Sequence, residues 1–285
     1  MEEKKSHKFL NFIILLIVLI VGIFIYAKYI GTKGLIVKEY RVESNILTEN
    51  FSGLKIVHFS DLLYRSTINK EDVRTLINKI NTLKPDIVVF TGNLVTNDYK
   101  VHKNDAEFLT SELSKIDVSI GKYAIYGEYD YANSYYSDIM NESGFKILNN
   151  SYEEIFYKDN NPLYLVGLPS SIKETINLEE AFKFYDENNR VYTIVLVHEG
   201  KTIKYIDEST YEVDMILGGY SLNGSIVIPY YGGLLNDKNS YKYSDEYYEK
   251  GITKIYISSG LGSKKYGLRF NNKPSFNFYR LKAQS

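Results

Sequence analysis

Carboxylates, an amide and an imidazole follow short apolar runs in this chain, and these are side chains that can hold a cation or move a proton. The runs and their sequels are Lys55 to Phe59 then Ser60-Asp61-Leu62-Leu63, and Ile87 to Phe90 then Thr91-Gly92-Asn93. Three more follow: Tyr123 to Tyr126 then Gly127-Glu128-Tyr129-Asp130, Ile194 to Val197 then His198-Glu199, and Met215 to Leu217 then Gly218-Gly219-Tyr220-Ser221-Leu222. Short β-branched and aromatic runs closed by glycine are the mark of buried strands, so the polar groups stand in turns at strand ends. The chain has no cysteine, which excludes a disulfide, a zinc-thiolate site and a thiol nucleophile. His58 lies inside the first run and has a structural reading, His102 falls in a polar loop, and His7 precedes an apolar segment.

The elements that position these turns follow from periodicity. Val73, Leu76, Ile77, Ile80 and Leu83 recur at helical spacing, with Asn69 and Asp72 able to cap the start and Pro85 ending the helix. Phe108, Leu109, Leu113 and Ile116 predict a second helix, and Leu178 to Tyr185 a third. Gly34 to Ser44 alternates loosely, as an edge strand does. Leu163 to Gly167, Ile226 to Ile228, Lys254 to Ser258 and Phe276 to Leu281 predict further strands, while Asp237 to Lys250 is polar and tyrosine-rich enough for a long surface loop. Alternating strands and helices up to Asp130, then mostly strands, give an α/β chain with two sheets packed as a sandwich and helices outside.

Phe9 to Ala27 is apolar apart from Asn11, and a helix of about 20 such residues crosses a hydrocarbon core. The rival readings are a cleaved signal peptide and a buried core helix; the run exceeds a usual signal core, and Tyr26-Ala27-Lys28 lacks a small-x-small cleavage pattern. Lys4, Lys5 and Lys8 precede it while Lys28 and Lys33 follow, which favours a cytoplasmic amino end and an extracytoplasmic domain at the cell membrane. The expected organisation is a cytoplasmic segment 1–8, a transmembrane anchor 9–27, a linker with the leading edge strand 28–50, and one domain 51–285. The 285 residues, 44% of them hydrophobic, suffice for one full core, and a net charge of -1 gives no pull toward nucleic acid. Twenty-eight tyrosines stand against no tryptophan.

The order, spacing and glycines of the five turns resemble the calcineurin-like metallophosphoesterases of the membrane-anchored bacterial type. That family's pattern is Asp-x-His, Gly-Asp, Gly-Asn-His-Asp, a lone His and Gly-His-x-His, each at the carboxyl end of a strand. The resemblance runs from Leu35 to Leu281, including Leu83-Lys84-Pro85-Asp86, Ser259-Gly260-Leu261-Gly262 and Arg269-Phe270-Asn271. It implies an αββα fold and two metal ions about 4 Å apart that activate a water for in-line attack on phosphorus. By this alignment Asp61, Leu63 and Leu222 stand where the first metal takes its ligands, and Glu128, His198 and Tyr220 where the second does. Asn93 stands at the bridging position. Tyr129 stands where a histidine stabilises the phosphate or protonates the leaving group, and Asp130 where a carboxylate orients it. Only Asp61, Asp130 and His198 keep the family residue, so a dinuclear cofactor is not expected.

The expectation is a pseudoenzyme whose cleft, lined by Tyr129, Tyr220, Leu63 and Leu222, binds a lipid headgroup, a glycan or a partner peptide. The alternative is a single divalent ion (Mn, Fe or Zn) on Asn93, Glu128 and His198, serving hydrolysis of a membrane-proximal phosphate ester. Without metal, His198 is expected to turn to Glu128 or Tyr220, and Asp61 to Ser60 or Ser221.

Overall fold

Strands that are apolar on both faces oblige a sheet to be covered twice. In the computed structural model, which describes residues 3–234, 237–264 and 266–284, the result is four layers: helices, sheet, sheet, helices. The first sheet runs in the order β1 (Ile36–Ser44), β14 (Ser275–Ala283), β2 (Lys55–Phe59), β3 (Ile87–Phe90), β4 (Gly121–Ala124) and β5 (Phe145–Ile147). The second runs β12 (Tyr247–Lys250), β13 (Thr253–Ile257), β9 (Met215–Gly218), β8 (Thr193–Leu196), β7 (Leu163–Gly167) and β6 (Ser151–Ile155). A short pair, β10 (Val227–Ile228) with β11 (Gly232–Gly233), stands apart as a hairpin.

Alternation along each strand divides the core. Ile56, Ile87, Val89 and Tyr123 point between the sheets against Leu165, Ile194, Met215 and Leu217. Val57, Phe59, Val88 and Phe90 point outward against α2 (Lys70–Thr82), α3 (Lys103–Leu113) and α4 (Tyr136–Glu142). The second sheet turns Val166, Val195 and Ile216 toward α5 (Leu178–Ala181) and α6 (Ile203–Asp207). β2, β3, β4 and β5 are parallel neighbours, as are β7, β8 and β9, so their carboxyl ends lie along common edges.

The predicted start of α2 is present as a capping box, with the Asn69 side chain accepting from the Asp72 N–H and Asp72 from that of Asn69. The predicted edge strand is β1, paired in parallel with β14. Two expectations are corrected. The third helix stops at Ala181 because Phe184 stacks on Tyr164 with ring centroids 3.7 Å apart, which takes the chain out of helical register. The stretch 237–250 is not all loop: its end is β12, whose Tyr247 packs on Tyr256 of β13 at 5.0 Å.

The apolar amino-terminal helix α1 (Glu3–Ile25) continues through a π-helical turn at Tyr26–Ile30. His7–Ile30 is long and apolar enough to cross a membrane and is not buried within the protein, which excludes the core-helix reading. Its far end docks on the domain: the Arg269 N–H donates to the Ala27 carbonyl at 2.9 Å, and Tyr26 meets Phe270 edge-on at 5.7 Å.

Candidate functional site

Turns after β2, β3 and β4 in one sheet and after β8 and β9 in the other meet at one rim of the sandwich, where α/β sheets commonly hold ligands. Two glycines make this closeness possible. Gly92 has φ +95°, and a Cβ on it would stand 2.3 Å from the Gly127 nitrogen. A Cβ on Gly260, at φ +67°, would stand 2.3 Å from Leu222 Cδ2 and 3.0 Å from Asp61 Cβ.

The backbone here is strained as well as close. Asp61, Leu63, Asn93, Tyr220 and Leu222 all have φ between 45° and 68°, in the left-handed region that non-glycine residues seldom occupy. Such conformations persist where surrounding structure imposes them, and they cluster at functional sites. Leucine gains nothing local from this geometry, because it has no polar group to bond its own backbone.

Asp61 is fully buried and its two oxygens are taken by protein donors. Oδ2 accepts from Ser60 Oγ at 2.8 Å and from the Tyr220 N–H at 2.9 Å, and Oδ1 accepts from Asn93 Nδ2 at 3.1 Å. Of the two partners expected for Asp61, Ser60 is present, whereas Ser221 instead approaches the Ser244 carbonyl and accepts from the Asn223 N–H. Asn93 Oδ1 accepts from the Tyr129 N–H at 2.9 Å. Leu63 and Leu222 beside them are buried.

Asp130 is also fully buried, and its role differs from the expected one. It accepts from the backbone N–H groups of Asn93, Leu94 and Gly127 at 2.7 to 2.8 Å, tying two turns together rather than orienting the side chain at 129. Burial still raises its carboxyl to about 6, against the pull of those donors. Tyr129 is pushed up to about 12 by burial and then by Glu128 and Asp61, so its hydroxyl keeps its proton at neutral pH.

On the other side of the rim, His198 Nδ1 bonds the Thr91 carbonyl, not Glu128 or Tyr220 as expected. Tyr220 instead stands edge-on to the imidazole at 5.6 Å, and its hydroxyl accepts from Asn239 Nδ2 at 3.1 Å. His198 Nε2 is buried with no hydrogen-bond partner among the described residues. His58 is structural as expected: its Nε2 is 2.9 Å from Thr91 Oγ1, and burial lowers the ring to about 3.

Two residues to which the sequence reading assigned no role in the site shape the rim. Lys264 Nζ lies 3.4 Å from the centroid of the Tyr220 ring and feels Asp61, Glu128, Asp237 and Glu199, while burial lowers its pKa. Arg269 is fully buried, with Nη2 donating to the carbonyls of Ser259, Gly260 and Gly262, Nη1 to that of Asn272, and Nε to Ser263 Oγ. Arg269 thus holds the loop that presses on Asp61 and Leu63. The lysine pair at 264–265 was visible in the sequence; nothing local marked Arg269 as buried.

These donors do not fit a dinuclear metal centre. Asn93, the amide expected at the bridging position, and Asp61 are bonded to each other, and no group of three His, Cys, Asp or Glu residues gathers among the described residues. Above the rim opens a cleft of about 310 Å³ lined by Tyr129, Tyr220, Leu222, Asp237, Lys264 and Tyr266 among others.

Comparison with known proteins decides the family. The calcineurin-like phosphoesterase family model matches residues 54–250. The chain belongs to the calcineurin-like phosphoesterase family. It is 30% identical over 261 residues to the uncharacterized metallophosphoesterase YkuE of Bacillus subtilis, covering 90% of this chain and 89% of that one. It is 24% identical over 280 residues to the UDP-2,3-diacylglucosamine pyrophosphatase LpxG of Chlamydia trachomatis, covering 80% of this chain and 83% of that one. A more distant likeness, with a TM-score of 0.44 and 11% identity over 80% of each chain, is to the structure titled GAP50, the anchor in the inner membrane complex of Plasmodium. The fold matches the two-sheet expectation.

Proposed function

We propose that this protein is a membrane-anchored member of the calcineurin-like phosphoesterase family that has lost two-metal hydrolysis and binds a ligand in its cleft. One observation carries the reading: Asn93 Nδ2 donates to Asp61 Oδ1 at 3.1 Å, so the group at the bridging position is spent on a hydrogen bond inside the protein. Leu63 and Leu222 support it, since leucine offers a cation no lone pair. The anchor is the apolar part of α1, and the lysines at its amino end favour an extracytoplasmic domain. The relative named as a UDP-2,3-diacylglucosamine pyrophosphatase suggests the ligand class, an amphipathic phosphate ester, for a cleft whose described lining combines tyrosine and leucine with the Lys264 ammonium and the Asp237 carboxylate.

A second reading, a residual hydrolase with a single ion, is favoured by the unpartnered His198 Nε2. Elemental analysis separates the two. The detergent-purified chain, incubated with manganese, iron and zinc and then dialysed, should retain less than one equivalent and show no manganese-stimulated cleavage of phosphodiesters. Two bound equivalents, or turnover abolished by Asp61→Ala, would overturn the binding-module reading; one equivalent lost in His198→Ala would support the second. A cysteine at exposed Glu187 should react with an impermeant maleimide in intact cells; reaction only after lysis would reverse the topology.

A further inference from the structure

We propose that the β10–β11 hairpin is a second membrane contact, seating its aromatic tip in the headgroup layer of the bilayer that α1 enters. This rests on the reading of α1 as an anchor. The hairpin tip is Ile228-Pro229-Tyr230-Tyr231, and Tyr230 and Tyr231 are 106% and 87% exposed, with Leu234 also exposed beside them. Isolated apolar residues on a surface are ordinary; four within seven residues on a projecting turn are a patch that needs a partner.

The turn is built to display them. The Tyr231 N–H donates to the Ile228 carbonyl at 3.1 Å, which closes a turn with Pro229 in its first central place. Tyr230 occupies the second, at φ +69°. That place normally takes glycine or asparagine, and here a bulky aromatic is held in the left-handed region with its side chain in the open. Nothing in the fold of the hairpin calls for tyrosine there.

Position names the occupant. At the hairpin's base the Val227 N–H donates to the Phe270 carbonyl at 2.9 Å, and Ile226 pairs with Phe270. Phe270 is the residue that meets Tyr26 at the end of the apolar helix, and Lys28 Nζ, two residues on, donates to the Tyr266 carbonyl at 3.0 Å. The patch is therefore continuous with the point where the chain would leave the hydrocarbon. Tyrosine concentrates at that depth because its ring is apolar and its hydroxyl is wet, and Lys28 and Lys33 bring positive charge to lipid phosphates. The other face of the hairpin abuts the site: a Cβ on Gly233 would stand 2.6 Å from the Asn223 carbonyl oxygen, next to Leu222. Seating the tip in lipid would bring the cleft's mouth to the headgroup surface.

The absence of tryptophan makes a clean test. Full-length single-tryptophan variants Tyr231→Trp, Ile20→Trp and Phe156→Trp would be reconstituted into phosphatidylcholine and phosphatidylglycerol vesicles carrying acyl chains brominated at different depths. Ile20 reports on the anchor. Phe156 is exposed at the far end of the sandwich, because β6 runs antiparallel to β7 and ends away from the site. The expected result is deep-bromine quenching at 20, shallow quenching with a blue-shifted emission at 231, and neither at 156. Quenching at 20 with 231 behaving like 156 would overturn the hairpin contact while leaving the anchor. Loss of quenching at 20 would overturn the anchor reading and this proposal with it.

Discussion

The two halves of the rim have been treated differently. Around Asp61, Leu63 and Leu222 every carboxylate oxygen is bonded within the protein and the neighbouring side chains are buried leucines, as in an ordinary core. Around His198, Glu128 and Tyr220 the chain keeps a buried nitrogen without a partner, a half-buried carboxylate and a lysine over an aromatic ring. Buried polar groups are normally satisfied, so the exceptions show where a polar demand still operates. The first half is internally satisfied, while the second carries unmet polar groups; Tyr220 of the second and Leu222 of the first both line the cleft.

If the first half is core, its supports should carry large stability. Arg269→Leu would leave the carbonyls of Ser259, Gly262 and Asn272 without a donor, that of Gly260 keeping the Ser275 N–H, and at about 1 kcal/mol or more for each buried group the loss should reach on the order of 3 kcal/mol. Urea unfolding measures it, and a loss under about 1 kcal/mol would mean the loop is not held in this way. Leu222→Ala should cost about 3 kcal/mol, within the range for buried leucine truncations. A negligible effect would mean that this half is still an open site.

Restoration probes the comparison from the other side. Leu63→His, Asn93→Asp, Glu128→Asn, Tyr129→His, Tyr220→His and Leu222→His together should return ligands to both halves. Manganese or zinc should then stabilise the variant by about 2.7 kcal/mol at a hundredfold excess over Kd, read as a shift in thermal midpoint. A folded variant with no calorimetric binding would show that these turns no longer converge as the family's do.

The smallest effect concerns pH. Native His58 refuses a proton below its unfolded value of about 6.5, so its contribution is complete above that pH and falls by about 2 kcal/mol toward pH 5. Asp130 acts oppositely: with its native carboxyl raised to about 6, it takes its proton before the unfolded chain does, returning about 1 kcal/mol over the same interval. From this pair the parent should therefore lose about 1 kcal/mol over the interval. His58→Gln removes only the falling component, so its stability relative to the parent should improve by about 2 kcal/mol on acidification. An unchanged difference would assign the acid response to other groups.

Much was legible before any fold was seen. The capping box of α2, the edge strand, the alternation of buried strands and the apolar helix rest on neighbours within a few residues, and local periodicity records such relations. The leucines and tyrosines in the turns were equally plain, because they are a matter of residue type. The end of α5 was misplaced because Tyr164, a distant residue, captures Phe184.

Sequence by itself determined the family, the two-sheet architecture and the residue types that stand in the turns. Only the tertiary structure decided that Asn93 bonds Asp61, that Asp130 binds backbone, that His198 turns to Thr91 and that Arg269 and Lys264 enter the rim. The reason is geometric. A buried polar group takes whichever partner folding brings within about 3 Å, and Tyr220 reaches Asp61 across 159 residues that carry no local trace of the meeting.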